Sequence, residues 1–306
     1  MGFTQQSRPA LGISATERET GLGKDTLRVW ERRYGFPQPE RDANGERLYP
    51  AEQVDRLRLI KRLMDQGHRP GKLMAAGEEA LQALYTPPAA PASHDMTDDA
   101  MVRHLLALVK THDVPQLRSA LNQAMLRQGL QDFVLRSLAA LNHAVGEAWM
   151  SGEFEIFEEH LYTEQVQALL RQAISTLPAR SGSPRILLTT VPEEQHGLGL
   201  LMAEALLALD GATCVSLGTQ TPLFDIAMAA RSQQADVVAL SFSAAYPSRQ
   251  VVPQLAQLRT MLPDSTELWA GGGGAGKLVG QPGIRAMPTL PDALAALAAW
   301  RERKSA

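Results

Sequence analysis

His196 is the residue in this chain best suited to metal chemistry. A neutral imidazole is a strong nitrogen ligand, and Glu194 stands two positions before it, where a carboxylate orients the ring and raises its basicity. Taken alone, a histidine in a loop is more often a hydrogen-bonded surface residue. Here the loop Glu194-Gln195-His196-Gly197-Leu198-Gly199 is followed at set intervals by further groups: 41 residues separate Gly199 from Ser241-Phe242-Ser243, and 27 separate Ser243 from Gly271-Gly272. A second group is Trp149, nine intervening residues, then Glu159-His160. A third is cationic, with Arg28, Arg32 and Arg33 in one short run and Arg41 and Arg47 on either side of Asn44-Gly45. Guanidinium groups spaced in this way suit phosphate contact and guanine readout. The run from Gly271 to Lys277 imitates a phosphate-binding G-x-x-x-x-G-K-[ST] loop, but Leu278 stands where nucleotide hydrolysis needs a magnesium-binding hydroxyl, which excludes that reading. The single cysteine, Cys214, offers neither an internal disulfide nor a thiolate cluster, and reads as a small buried residue.

These groups need scaffolds, and 306 residues suffice for more than one domain. A composition 44% apolar and 21% charged is ordinary for globular chains and excludes disordered, collagenous and disulfide-scaffold classes. No apolar run reaches membrane-spanning length, and the start MGFTQQSRPALGIS lacks the basic and apolar regions of a signal peptide. The expectation is a cytoplasmic protein with no membrane partner. The net charge of -3 is uneven: residues 1–80 carry 14 Lys+Arg against 12 Asp+Glu, leaving 16 against 21 for the remainder. That excess is too small to establish nucleic-acid binding, so the placement of the arginines carries the argument.

Ala10 to Arg18 and Lys24 to Tyr34 read as short helices separated by Thr20-Gly21-Leu22-Gly23, which is helix-turn-helix spacing. The second keeps Leu27 and Trp30 on one face and projects its arginines elsewhere. Asn44-Gly45 signals a hairpin wing, and Val54, Leu57, Ile60 and Leu63 give the next segment a helical apolar rhythm. YTPPAAPASHDMT then reads as a flexible linker. From Thr97 to about Leu177 the pattern is helical, with breaks near Asp113-Val114-Pro115, Gln128-Gly129 and Ser151-Gly152-Glu153, which favours a four-helix bundle. After Ser181-Gly182-Ser183-Pro184, strand-like runs RILLTTV, TCVSLG, DVVALSFS and ELWAGG, with a fifth at GIRAM, alternate with helical stretches. That alternation implies a parallel doubly wound sheet whose ligands bind beyond the carboxyl ends of its strands. The expected fold is therefore multidomain, α and α/β. It comprises a winged helix-turn-helix over 1–80, a linker over 81–97, a four-helix bundle over 98–180, and a flavodoxin-like parallel sheet over 181–306.

TLRVWERRYGFPQPER followed by NGERLYPAEQVDRLRLIKRLMDQG resembles the DNA-binding domain of MerR-family regulators. The resemblance implies that Arg28, Arg32, Tyr34, Arg41, Arg47 and Tyr49 touch double-stranded promoter DNA. The three-part pattern around His196 is similar, in order and interval, to the cobalamin-binding signature D-x-H-x-x-G, S-x-L, G-G, with Glu194 in place of Asp and Ser243 in place of Leu. It implies that His196 replaces the cofactor's own dimethylbenzimidazole as lower cobalt ligand, that Gly199 belongs to the same loop, that Ser241 bonds the nucleotide tail, and that Gly271 and Gly272 admit that tail close to the backbone. Trp149 with Glu159-His160 resembles the upper-face signature of CarH/LitR-type adenosylcobalamin photoreceptor repressors, in which the tryptophan packs on the adenosyl group and the Glu-His pair lines its pocket. The residue after that tryptophan is often a histidine in the family; here it is Met150. The implied function is a repressor that holds promoter DNA as a homo-oligomer, dimer or tetramer, in the dark and releases it on cobalt–carbon photolysis. A corrinoid methyl-carrier enzyme is a second reading, opposed by the DNA-binding head. A MerR-type regulator answering to another chromophore or a protein partner is a third, opposed by the intact histidine and spacing.

Overall fold

The computed structural model describes residues 10–65, 68–84, 96–178, 182–278 and 281–305. Its amino-terminal head begins with β1 (Leu11–Gly12) and α1 (Ile13–Thr20), so the first helix starts and ends later than its sequence pattern suggests. Leu11 and Gly12 are taken up as an edge strand, and Gly21, at φ 66°, turns the chain out of α1 in the left-handed region that glycine tolerates. α2 (Lys24–Tyr34) carries Asp25 in its first turn and Arg32 and Arg33 in its last, matching the helix dipole at both ends. The wing is β2 (Glu40–Arg41) paired antiparallel with β3 (Arg47–Tyr49), and β3 also pairs with β1. At its tip the Asp42 carboxylate accepts the Asn44 and Glu46 amides, with Gly45 at φ +79°.

α3 (Ala51–Asp65) buries Val54, Leu57, Ile60 and Leu63 as its rhythm requires. With Leu22, Leu27, Trp30, Leu73 and Leu81, the last three of these form one head core, each fully buried leucine worth about 2 kcal/mol. Leu73 and Leu81 come from α4 (Pro70–Ala75) and α5 (Glu78–Leu84). The head therefore continues to Leu84, into the expected linker; 85–95 of that linker lie outside the described residues.

The second unit begins with four helical stretches: α6 (Met96–Lys110), α7 (Val114–Gln128), a long run from Leu130 to Met150, and α10 (Ile156–Thr176). Asp113 caps α7 by accepting the Gln116 amide at 3.1 Å. The long run comprises α8 (Leu130–Asp132), a π-helical turn at Phe133–Leu138, and α9 (Ala139–Met150). α10 opens on a capping box between Glu155 and Glu158.

Glu158 is wholly buried beneath Lys110 Nζ at 3.1 Å and His112 Nε2 at 3.0 Å. Burial pushes its carboxyl pKa up, but the Glu155 amide and the His112 and Lys110 hydrogen bonds outweigh that and hold it below 4.5. A lowered folded pKa means stability that is complete above the unfolded value and lost as pH falls through the folded one. Bundle stability should therefore be flat from neutrality to about pH 5 and decline below 4.5. Because both partners are half exposed, Glu158→Gln should cost only about 1–2 kcal/mol at pH 7 and flatten the acid limb in pH-resolved thermal melts.

The α/β half contains β4 (Arg185–Thr189), α11 (Leu198–Leu209), β5 (Thr213–Ser216), α12 (Leu223–Ser232), β6 (Val237–Ser241), α13 (Ser248–Met261), β7 (Glu267–Gly271), β8 (Ile284–Met287) and α14 (Leu290–Ser305). All its strands are parallel in the order β5-β4-β6-β7-β8, the flavodoxin-like order, with the switch point between β4 and β6. Alternate residues feed opposite faces. Ile186, Leu188, Val237 and Ala239 pack under α11 and α14, while Leu187, Val238 and Leu240 pack under α12 and α13. α11, LGLLMAEALLAL, is apolar on nearly every side because it is covered on both. Leu200 and Leu207 join the sheet core, and Leu201, Met202, Ala205 and Leu206 join the bundle core. Asn142 fixes that junction, accepting from the buried Tyr162 hydroxyl and donating to Met202 Sδ at 3.2 Å. Cys214, expected as a buried residue, is only partly buried against the sheet core, and burial of its thiol pushes the pKa up to about 12, which leaves it inert.

Candidate functional site

On the head, α2 buries Leu27 and Trp30 and exposes Arg28, Arg32 and Arg33. Arg28 is tethered to the exposed Asp25, at 3.1 Å, and Arg33 lies over the half-buried Tyr34 ring. On the wing, Arg41 and Arg47 are cross-strand partners that behave differently. Arg41 is exposed and donates to the Gly45 carbonyl at 2.7 Å. Arg47 is half buried and grips Glu31 of α2 with both ends of its fork, at 2.9 and 3.4 Å, so it braces the wing against that helix. Tyr49, expected at the DNA surface, is wholly buried, and burial raises its phenol pKa. Sequence reasoning missed Glu31, which reads as one more helix charge because its partner lies across the fold.

Trp149 packs on the bundle core at the end of α9. Glu159 and His160 stand in the first turns of α10, across the short α9–α10 connection. Glu159 is half buried and accepts from Thr163 at 2.7 Å, which leaves its second oxygen 3.6 Å from the exposed His160 Nε2. The side chain of Met150 lies outside the described residues.

At the carboxyl end of β4, at the switch point, the structure brings Glu194, His196 and Ser243 together. Glu194 is 1% exposed although it is a carboxylate, so its oxygens need partners. Oε1 accepts the His196 amide at 2.9 Å and lies 2.7 Å from His196 Nδ1; Oε2 accepts the Ser243 amide and hydroxyl, each at 2.8 Å. Burial pushes the Glu194 carboxyl up, but these bonds prevail and hold it below its ordinary range, so it remains an anion. An anion at Nδ1 selects the tautomer with its proton there and its lone pair on Nε2. The ring is 63% exposed at the ends of the strands. The two departures from the cobalamin signature are thus joined, with the longer Glu194 reaching both the backbone and the side chain of Ser243.

Ser241 closes β6 beside the first turn of α11, where a Cβ on Gly199 would make ordinary contact with Ser241 Oγ at 3.6 Å. Gly271 is tight, its Cβ falling 3.1 Å from Met287 O, and Gly272 is obligatory: at φ +90° a Cβ would lie 2.4 Å from the Phe242 carbonyl oxygen. The glycines let the β7 loop lie against the end of β6, which is an internal packing reason for them. Gly273–Lys277 winds as a 3-10 turn, and a Cβ on Gly274 would sit 2.7 Å from Ser243 O, so this run serves the same packing.

The MerR HTH family regulatory protein model matches residues 11–74, and the B12 binding domain model matches residues 101–174, the span of the four helices. HTH-type transcriptional repressor CarA of Myxococcus xanthus is 28% identical over 233 residues, covering 76% of both chains. The monomethylamine corrinoid protein of Methanosarcina barkeri shares the bundle-plus-sheet fold, with a TM-score of 0.53 at 15% identity over 66% of this chain and 99% of that one. HTH-type transcriptional repressor CarH of Myxococcus xanthus is 30% identical over 266 residues, 86% of this chain and 89% of that protein. With a DNA-binding head, a B12-type bundle and a parallel sheet in that order, the chain belongs to the CarH family of MerR-type, cobalamin-binding transcriptional repressors.

Proposed function

We propose that the chain is a light-responsive, non-enzymatic repressor that uses adenosylcobalamin and grips promoter DNA as a homo-oligomer in the dark. The observation that carries this reading is the buried Glu194 holding Nδ1 of the exposed His196 ring at the switch point of the sheet. The donor set fits a corrinoid. Among the described residues no cluster of three or more His, Cys, Asp or Glu side chains suits a bare ion, whereas one oriented imidazole suits a metal whose equatorial positions a macrocycle fills.

In this reading His196 Nε2 would bind the cobalt, Ser241 would bond the nucleotide tail, and Gly199, Gly271 and Gly272 would keep that path clear. Trp149, Glu159 and His160 contact the adenosyl group and hold the bundle in one position. When bound, adenosylcobalamin supplies a cobalt–carbon bond that light breaks. Once the contacts of Trp149, Glu159 and His160 with the adenosyl group are lost, the bundle relaxes, protomers separate and the heads release DNA. The bundle responds because its adenosyl contacts differ between assembled and separated forms, and assembly multiplies the weak affinity of one head. Arg28, Arg32, Tyr34 and Arg41 contact DNA directly; Arg47 contributes through the wing it braces, and Tyr49 from within the head. Work in the cytoplasm follows from DNA as the partner.

Band-shift and sedimentation measurements on chain loaded with adenosylcobalamin in the dark, before and after illumination, test the proposal. The expected result is a DNA-bound oligomer that dissociates in light. Arg28→Ala should weaken dark binding by about 1–3 kcal/mol, with specificity relaxed at one position if it reads a base. Equal DNA affinity in dark and light would overturn the reading.

A further inference from the structure

Thr189, the last residue of strand β4, and Thr190, which follows it, are wholly buried, and both hydroxyls are bonded to the chain around them. The Thr190 hydroxyl donates to the Glu194 carbonyl at 2.6 Å and accepts the Gln220 amide at 2.8 Å. One side chain thus joins the loop that carries His196 to the 217–221 loop that follows β5. The join is reinforced nearby. Thr221 donates its amide to Thr190 O at 3.0 Å, and Thr189 Oγ1 lies 3.0 Å from Gly218 O and 2.7 Å from Thr221 Oγ1. The loops also touch directly, since a Cβ on Gly197 would fall 3.0 Å from Thr219 Cγ2.

Both ends of the clamp are held in a backbone conformation that side chains disfavour. Gln220 stands at φ 61°, and Glu193, which precedes Glu194, stands at φ 69°. Neither residue is glycine, so each would return to an ordinary region unless something holds it. Relaxation at Glu193 would swing Glu194, and Glu194 sets the direction of the imidazole.

We propose that Thr190 is a positioning residue for His196, its hydroxyl clamping the two loops so that the imidazole stands at a fixed height and direction above the sheet. This rests on the reading of His196 as the cobalt ligand. Valine in its place has the same shape and neither bond, leaving the buried Glu194 carbonyl and the Gln220 amide without the partner each has here. The cheapest relief is rotation of the two left-handed residues.

The test uses the full chain as wild type, Thr190→Val and Thr190→Ser, with hydroxocobalamin as probe. Three quantities are read: the dissociation constant from absorbance titration, the axial nitrogen splitting in the paramagnetic resonance spectrum of the reduced cobalt, and hydrogen exchange at the Gln220 amide in the unloaded chain. Thr190→Val should weaken cobalamin binding about 10-fold, the lower end of the range for groups that support a metal ligand, and lose part of the nitrogen splitting and the Gln220 protection. Thr190→Ser should match wild type. If Thr190→Val does not fold, Thr190→Cys, of similar size with a poor hydrogen-bonding thiol, reads the same quantities. Wild-type affinity and full splitting in the valine variant would overturn the proposal even with Gln220 protection lost, and so would a serine variant that behaves like valine. Absence of nitrogen splitting in wild type would instead remove His196 as ligand, and the proposal with it.

Discussion

Replacing His196 by alanine is expected to abolish base-off, histidine-on ligation of bound cobalamin. His196 is the sole histidine of the 190–199 loop, and its Nδ1 is committed to Glu194, so the chemistry of that loop passes through one nitrogen. The cobalt(II) resonance spectrum should lose its nitrogen splitting. Added imidazole, small enough to enter the space the ring leaves, should restore it. Glu194→Gln should be milder, because an amide oxygen still accepts from Nδ1 but brings no charge; a loss of about 10- to 100-fold in affinity is the expected scale. An unchanged cobalt spectrum in His196→Ala would refute the assignment of this loop, whatever happened to DNA binding.

Gly272→Ala should be the most damaging single methyl in the α/β half. The backbone there stands at φ +90°, and the added carbon would meet the Phe242 carbonyl oxygen at 2.4 Å, a backbone atom that cannot step aside like a flexible side chain. Strain of the dihedral and displacement of the β6 end together cost about 3 kcal/mol or more. For a unit of this size that corresponds to a fall in Tm of roughly 6–12 °C. Gly271→Ala, with a contact at 3.1 Å and no dihedral constraint, should cost far less. Calorimetry of both variants without cofactor reads the difference. Equal melting temperatures would show that the β7 loop yields, and that packing does not set the glycine requirement.

The strands were legible because their apolar runs are short, rich in branched residues and bounded by turn formers. The short GIRAM run forms β8, where Ile284 pairs with Leu268. Counted intervals placed Glu194, Ser243 and Gly272 at strand ends because each βα unit has a nearly fixed length. Other features left no local trace. Glu31 gives no sign in α2 that Arg47 lies across from it, since the pairing depends on how the wing folds back. Thr190 reads as one more β-branched strand residue until Gln220 is brought to it from the next unit. Tyr49, which the family resemblance puts at the DNA surface, falls on the inward face of β3, and strand alternation alone does not say which face that is. Leu11-Gly12 resembled the start of a helix, and only its pairing with Leu48 and Tyr49 makes it a strand.

The π turn at Phe133–Leu138 bears on how chains of this kind are to be aligned. A π turn accommodates one residue more than an α turn without turning the flanking helix to a new face. A relative one residue shorter between 133 and 138 can therefore wind the stretch as plain α-helix and keep Leu141, Val145 and Trp149 directed as they are here. The same deletion in α7, between Leu117 and Ala124, would rotate everything beyond it by about 100° and take the buried side chains out of the core. A single-residue gap should thus recur at the π turn in alignments of the bundle and be rare elsewhere in its helices. At that place it records a change in winding, with the same side chains still facing inward.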